Sequence, residues 1–450
     1  MSNYTNCLRK DPFSSFSQLN IDLPFYKNVL VPILNALIKP LEGKRIEHSS
    51  QEYSMTMFID ALLGYSQNIG PQILEQKLYS VLKEDAMQFV KDTRILPHPS
   101  QMNTYTNMFS MEDANNALLE VNKGVLTYLL TYRIIPKKIK IAFDFKKQLY
   151  YGDKEDPYVI GIKAEKGTKK AHFWHTCAIV VKGFELQVGS QMVKTRKQKE
   201  DFVKKMVEYF ESLGFIVELT VMDKEYYGKE VFKYLTSKGI PYVVPVRESK
   251  KLKALKEEAL KSPKKRIQSY GIKDGYAKGK GVLYHNFKIS FFAKKGLRFD
   301  ALRAKYRNKP KELSEVLADI FVLATNQEIG AFLPQKKYKF YKIREDYRDR
   351  WRIETANREV VPFITYSTSK IPEVRNLYFV IALLLYNLWV IANLFLHKKK
   401  PRQAKEPKAF FIIYVHDLFL AFLQFYLGHD PPQSGFCRTE ELNIMRCIIM

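Results

Sequence analysis

The chain has 450 residues, of which 46% are hydrophobic and 27% are charged. This composition excludes a disordered or fibrous protein, and the length suggests two or three domains or one large α/β domain with insertions. The four cysteines are too few and too scattered for a disulfide framework or a cysteine-based zinc site, which favours a reducing compartment.

The formal net charge of +26 is distributed unevenly along the chain. Residues 1–135 contain 12 Lys and Arg against 13 Asp and Glu, so all of the excess positive charge lies in residues 136–450. A basic region of this size favours binding to a polyanion, most often a nucleic acid. General lysine enrichment in the source organism is the alternative, and the neutral N-terminal third argues against it.

Residues 1–135 predict a helical N-terminal module, because segments between residues 24 and 132 place apolar residues at helical spacing. The first residues, MSNYTNCLRKDPF, lack the apolar core of a signal peptide. We therefore expect a cytoplasmic protein.

The pattern changes at residue 136, where we predict an α/β domain that spans 136–396. Apolar runs predict strands at 139–145, 172–181, 184–193, 215–223 and 241–246, and helices at 197–213 and 229–238. This order of elements is typical of a mixed sheet covered by helices. Segment 247–318 is rich in lysine and glycine and predicts a basic, β-rich insertion rather than sheet core, and residues 318–326 resume the strand pattern.

Two helices are predicted to close this domain. The first runs from about Lys342 through Arg358, and the second is the apolar segment from Leu377 to Leu396. The second is long enough to span a bilayer and precedes a basic joint, so a membrane anchor stays open as an alternative. Polar residues such as Asn387 favour a buried core helix, and we expect no membrane span. Residues 397–450 predict a basic joint, a C-terminal helix and a tail.

Three acidic residues occupy positions that suit metal chemistry. Asp144 lies within an apolar strand and Asp223 ends another, where a charge costs free energy unless it is compensated. The carboxyl ends of strands form the ligand crevice of open α/β sheets. Glu354 lies on the predicted helix 342–358. At ~100° per residue, Arg350 and Tyr347 fall on its face, and so does Arg358.

These residue types suit the chemistry of a phosphodiester. Carboxylates are preferred ligands of Mg²⁺ and Mn²⁺, and arginine and tyrosine suit phosphate oxygens. Two or three carboxylates that hold two divalent ions ~4 Å apart support in-line attack at phosphorus. Each feature also has an ordinary explanation, as a turn residue or as a salt-bridged helix surface. Their joint occurrence on the basic part of the chain favours a metal site. Trp351, beside the helix face, could pack in the core or meet a base, and the core is favoured.

These segments resemble the DDE transposases of bacterial and archaeal insertion sequences, over about residues 139–396. IAFDFKKQLYYGD resembles the strand of the first Asp, with a Tyr-Tyr-Gly of an archaeal subgroup, and VMDKEYYGKEVFKYL resembles the motif of the second Asp. YRDRWRIETANREV resembles the signature helix Tyr-x2-Arg-x3-Glu-x6-Lys, and ALLLYNLWVIAN resembles the apolar helix that follows it.

The resemblance implies a ribonuclease H-like mixed sheet with flanking helices and a β-rich insertion before the last catalytic helix. It implies that Asp144, Asp223 and Glu354 are the catalytic residues and the ligands of two Mg²⁺ (or Mn²⁺) ions. It also implies that Tyr347 and Arg350 contact the DNA backbone near the cleaved bond.

Further contacts to DNA phosphates are predicted for Arg358 and for Lys224, beside the second Asp. A solvated surface lysine is the ordinary explanation of Lys224. The final lysine of the signature falls at Val361 here, and Arg358 lies one turn earlier on the same face. Either Arg358 replaces the lysine, or this copy is impaired, or the subgroup does without that contact.

The implied function is a transposase that cuts the ends of its own mobile element and joins the 3′-hydroxyl ends to target DNA. Its implied partners are double-stranded DNA, both element ends and target, and a second copy in a homodimer on DNA, and its implied location is the nucleoid. A catalytically impaired DNA-binding relative is the alternative that Val361 favours, and a membrane-anchored protein is a third.

Overall fold

The computed structural model describes residues 99–396, apart from gaps at 153–154, 182, 196–197, 278–280, 295, 309–311, 331–337 and 365–368. The helices predicted before residue 99 and the C-terminal segment 397–450 lie outside the described residues. The division into domains at residues 135 and 396 stays a prediction.

The described helices are α1 (Pro99–Thr106), α2 (Met111–Thr131), α3 (Lys199–Ser212), α4 (Lys229–Ser237), α5 (Lys250–Lys261), α6 (Phe299–Asn308), α7 (Leu313–Ala318), α8 (Phe340–Arg348), α9 (Arg350–Val360) and α10 (Pro372–Leu396). The strands are β1 (Lys138–Leu149), β2 (Ile160–Glu165), β3 (Thr168–Val181), β4 (Phe184–Met192), β5 (Ile216–Met222), β6 (Tyr242–Pro245), β7 (Ile267–Ala277), β8 (Gly281–Ala293), β9 (Ile320–Thr325), β10 (Ile329–Gly330) and β11 (Tyr338–Lys339). The predicted mixed α/β class and the predicted order of elements between residues 139 and 246 are confirmed, and β2 is an additional strand.

Nine of these strands form one mixed sheet in the order β2-β3-β1-β5-β6-β9-β8-β7, and β4 pairs with the outer edge of β3. Strands β1, β5 and β6 are parallel, because α3 and α4 cross over between them. Strands β1, β3 and β4 are antiparallel. A tight turn joins β3 to β4, where Gly183 has a φ of 107° that favours glycine.

Helices cover both faces of this sheet, and alternation along β1 decides which residues meet which helices. Ile141 and Phe143 belong to the large core cluster that includes α2 and α3. Ala142 belongs to a second cluster on the opposite face, together with Ile343 of α8 and Ile353 of α9. Asp144 follows Ala142 by two residues, so its side chain lies on the face that α9 covers.

The basic segment 247–318 differs from its prediction, because its hairpin extends the sheet. Strand β7 pairs with β8, β8 with β9, and β9 with β6. The segment also contains α5, α6 and α7, which the prediction of a β-rich insertion missed. Helix α5 buries Leu252 and Leu260 while its lysines lie mostly at the surface, so the high lysine content masked a short amphipathic helix.

The single long helix that the sequence predicts around Glu354 is two helices, divided at Asp349. One tighter turn separates them, because the Asp349 amide donates to the carbonyl of Asp346 at 3.0 Å and the Arg352 amide to that of Asp349 at 3.1 Å. The ammonium of Lys140 on β1 contacts the carboxylates of Asp346 at 2.7 Å and Asp349 at 3.1 Å. These ion pairs fix the turn against the sheet.

Helix α10 is a core helix of the fold. Its apolar stretch Pro372–Ile391 has a mean hydropathy of 1.7, and 94% of it is buried inside the protein. The helix packs against α2 and β4. Within the described part of the chain it alone is long and apolar enough to cross a membrane, and its burial accounts for its composition.

Candidate active site

Asp144 and Asp223 meet where two neighbouring parallel strands present their carboxyl-terminal parts. Asp223 directly follows β5, and its amide donates to the carbonyl of Phe143 on β1 at 3.2 Å. This bond continues the ladder between the two strands by one residue. It places the second acid beside the first.

Glu354 lies on α9, and Arg350, one helical turn before it, links Glu354 to the two aspartates. The Arg350 Nη2 atom lies 2.6 Å from Glu354 Oε1. Its Nη1 atom lies 3.9 Å from Asp144 Oδ1 and 3.8 Å from Asp223 Oδ1. All three carboxylates therefore face one guanidinium group, which is 8% exposed as a residue.

The electrostatics of the site depend on burial and on this guanidinium. Burial raises the pKa of Asp144, while the charge of Arg350 and the hydrogen bond from Asn357 oppose the rise in part. Burial also lowers the pKa of Lys146, which lies two residues further along β1.

Within the described residues, no group of three or more His, Cys, Asp or Glu side chains lies close enough together to hold a metal ion.

Asn357 is a site residue that sequence reasoning missed. Its Nδ2 atom donates to Asp144 Oδ2 at 2.7 Å, and its Oδ1 atom accepts a hydrogen bond from Gln187 Nε2 at 3.1 Å. Lys146 Nζ donates to its backbone carbonyl at 2.9 Å. The available signal was a polar residue one turn beyond Glu354, and Asn357 is 5% exposed.

A buried hydrogen-bond chain holds the backbone of Asp144. The hydroxyl of Tyr226 donates to the Asp144 carbonyl at 3.0 Å, and His175 Nδ1 donates in turn to the Tyr226 oxygen at 2.8 Å. His172 pairs with Asp156 at 2.7 Å. Both histidines are thus hydrogen-bonded within the fold.

The residues predicted to contact DNA lie in different environments. Tyr347 is buried against Phe321, and the Arg350 guanidinium lies 5.2 Å from the centre of its ring. Lys224 and Arg358 are exposed at the surface. Arg350 faces the three carboxylates in this structure.

Trp351 and Val361 mark the outer surface of α9 and the turn that follows it. Trp351 is 54% exposed, so its assignment to the core is wrong. Helix α9 is amphipathic: Ile353 and Ala356 lie on its buried face, and Trp351 lies on its exposed face. Val361, at the place of the signature lysine, is 49% exposed.

We expect His175 to make the fold sensitive to acid. Burial lowers its pKa to about 3, and the charge of Lys199 acts in the same direction. Between an ordinary pKa of about 6.5 and this value, the unfolded chain binds a proton that the folded chain does not. The free energy of unfolding therefore falls as the pH drops through this range. Thermal unfolding as a function of pH should show a shallower acid slope for His175→Gln, and an unchanged slope would contradict this assignment.

Comparison with known proteins is consistent with this geometry. The family model described as Transposase DDE domain matches residues 146–363, a little under half of the chain. The match contains Asp223 and Glu354 and begins two residues after Asp144. Residues 146–363 are thus similar to the catalytic domain of DDE transposases. This match supports an enzyme that acts on DNA.

Solved structures show more distant likenesses. The piggyBac transposase in its synaptic complex with hairpin DNA is 14% identical, with a TM-score of 0.46 over 98% of this chain and 86% of that chain. The Drosophila P element transposase in its strand transfer complex is 10% identical, with a TM-score of 0.23 over 94% of this chain and 96% of that chain. A search of curated protein sequences finds no significant match.

Proposed function

We propose that the protein cuts the ends of a mobile DNA element and joins the freed 3′-hydroxyl ends to target DNA. The observation that carries the proposal is the convergence of Asp144, Asp223 and Glu354 on the guanidinium of Arg350. The three acids come from β1, the end of β5 and α9, and each lies on the basic part of the chain.

The strand order supports the ribonuclease H-like core that the resemblance implies. Strands β4, β3 and β1 form an antiparallel meander, and β5 and β6 continue parallel to β1. The first acid lies on the central strand and the second follows its parallel neighbour. We assign the chain to the Tyr-Arg-Glu-Lys group of insertion-sequence transposases, in the archaeal-like subgroup that the Tyr-Tyr-Gly motif resembles.

The donor set fits Mg²⁺ or Mn²⁺, because all of the candidate ligands are carboxylate oxygens. Asp144, Asp223 and Glu354 would hold the ions. Two bound ions would supply an activated water or 3′-hydroxyl and stabilise the leaving oxygen.

Arg350 supplies the positive charge that all three carboxylates face in the protein alone. A cation that replaced this positive charge would free the guanidinium for a phosphate oxygen. This exchange reconciles the predicted DNA contact of Arg350 with its position among the acids. Tyr347 packs against the same guanidinium and would limit where it moves.

Basic side chains surround the acids and suit a DNA backbone. Lys224 follows Asp223 directly and is exposed, as is Arg358 on α9. A cavity beside Asp223 is lined by Lys147 and Lys163 and also by Glu165 and Glu225, and Lys147 is ion-paired with Glu165. Contacts of this kind position DNA without reading its sequence.

An impaired, DNA-binding relative is the second candidate function, and Val361 is the observation that favours it. Lys146 reaches the carbonyl of Asn357, one turn before Val361. This contact lies on the buried side of α9, whereas Val361 is exposed, so Lys146 does not take the place of the signature lysine.

We further propose that the protein acts as a homodimer on two DNA ends, because paired cleavage needs two active sites. We also propose that it is located in the cytoplasm on the nucleoid.

The experiment that tests the function uses the purified chain, Mg²⁺, and a duplex that carries the sequences flanking its own gene. Nicks at the element boundary and joined products in a target plasmid are expected. Binding without cleavage in Mg²⁺ or Mn²⁺ would favour the impaired relative, and no binding would contradict both candidates.

A further inference from the structure

We propose that Gln187 and Asn357 are positioning residues that hold the carboxylate of Asp144 in one orientation. The inference rests on the proposed function, in which Asp144 is a metal ligand. Neither residue carries a charge, and neither belongs to the three acids or to their basic neighbours. Their side chains are nonetheless connected to Asp144 by hydrogen bonds that cross from β4 to α9 and from α9 to β1.

The two oxygens of Asp144 have separate surroundings. Oδ2 accepts the 2.7 Å hydrogen bond from Asn357, and Oδ1 is the atom that lies 3.9 Å from Arg350. The bond to Asn357 therefore fixes the side-chain torsion of Asp144 and leaves Oδ1 toward Arg350. Ligands held by a hydrogen-bonded neighbour in this way bind metals more tightly than free ones.

Gln187 holds the other end of the Asn357 amide. Gln187 Nε2 donates to Asn357 Oδ1 while Asn357 Nδ2 donates to Asp144, so both ends of the amide are hydrogen-bonded. Without the Gln187 donor, Asn357 Oδ1 loses this partner and the amide is held less firmly against the carboxylate. Lys146 fixes the backbone of the same residue through its carbonyl.

The backbone of Gln187 is held by side chains of two core helices. Strand β4 has a bulge next to Gln187, and the backbone groups that the bulge leaves unpaired bind these side chains. The pairing of β3 with β4 skips Val188, which frees backbone groups on both sides of the skipped residue. Asn387 of α10 accepts from the Gln187 amide at 2.8 Å and donates to its carbonyl at 2.7 Å. Asn122 of α2 donates to the carbonyls of Gln187 and Val188, each at 3.1 Å. A chain of amides thus runs from the core helices to Asp144.

The test compares Asn357→Leu and Gln187→Met with the unchanged protein. We expect Asn357→Leu to slow DNA cleavage about 10- to 100-fold and to weaken Mn²⁺ binding similarly, which is the range for loss of a residue that orients a metal ligand. Mn²⁺ binding is measured by electron paramagnetic resonance without DNA, so it does not depend on turnover. DNA affinity should stay unchanged. Gln187→Met should have a smaller effect of the same kind.

The double variant distinguishes positioning from packing. Since Gln187 acts through Asn357, the double variant should be no worse than Asn357→Leu alone in Mn²⁺ affinity and cleavage rate. Additive losses would overturn the inference, as would wild-type Mn²⁺ affinity and cleavage in Asn357→Leu. Asn116→Leu, an exposed position on α2, is the matched control. Thermal unfolding identifies a variant that fails to fold, in which case Gln187→Met decides the question by the same two readouts.

Failure of this inference differs from failure of the proposed function. If Asp144→Asn cleaves DNA like the unchanged protein, then the proposed site is wrong. If Asp144→Asn loses cleavage while Asn357→Leu keeps it, only the positioning role is wrong.

Discussion

Replacing Asp144 by asparagine is expected to slow DNA cleavage in Mg²⁺ by roughly 1,000-fold, the effect of losing several kcal/mol of metal-dependent stabilisation of the transition state. Asparagine has the size of aspartate, and its carbonyl oxygen can still accept the hydrogen bond from Asn357. Only the negative charge and one oxygen ligand are lost. Glu354→Gln should have an effect of similar size. The measurement is the single-turnover rate of strand nicking at a saturating protein concentration.

The free energy of unfolding of Asp144→Asn should change in the opposite direction to its cleavage activity. Burial raises the pKa of Asp144, so the folded protein favours a neutral group at this place. The unfolded chain loses its proton at lower pH, and the unchanged protein therefore loses stability as the pH rises above about 3.9. Asp144→Asn lacks this loss and should be at least as stable at neutral pH. Such opposition of stability and activity is common at active sites.

Two exposed acids serve as matched controls for these variants. Asp201→Asn on α3 and Glu345→Gln on α8 make the same chemical changes away from Arg350. Both should cut DNA at the rate of the unchanged protein. Unimpaired cleavage by Asp144→Asn would show that the catalytic assignment is wrong, and equal losses in the controls would show that net charge is responsible.

Replacing Asn387 by leucine is expected to lower the free energy of unfolding by about 3 kcal/mol, since each buried polar group left without a partner costs ~1–3 kcal/mol. The change removes the contacts that Asn387 makes with the backbone of Gln187, and its 3.0 Å bond to Asn122. Chemical denaturation in detergent-free buffer gives the measurement.

The sign of the stability change in Asn387→Leu distinguishes a core position of α10 from a membrane span. In a bilayer, leucine is favoured over a polar side chain, so the same substitution would promote insertion of a spanning helix. In the core described above it breaks a hydrogen-bond network. Asn116→Leu on the exposed side of α2 should leave stability almost unchanged. A stabilised Asn387→Leu variant would contradict the core position of α10.

Most elements between residues 139 and 246 could be predicted because their signals are local. Alternation of apolar residues identifies strands, and helical spacing identifies α3 and α4. The helices of segment 247–318 were missed for a local reason too, since lysine-rich short helices bury few residues. The turn at Asp349 could not be predicted, because the lysine that contacts it, Lys140, lies on a distant strand.

The sequence by itself determined most of the strands and helices between residues 139 and 246, the basic character of residues 136–450, and the three acids as candidates. These properties depend on residue type and on spacing within a few residues. Only the tertiary structure decided that Arg350 lies among the acids, that Asn357 and Gln187 support Asp144, and that α10 is buried. Those relations join residues about 200 positions apart, and no pattern along the chain encodes which of many buried amides will meet a given carboxylate.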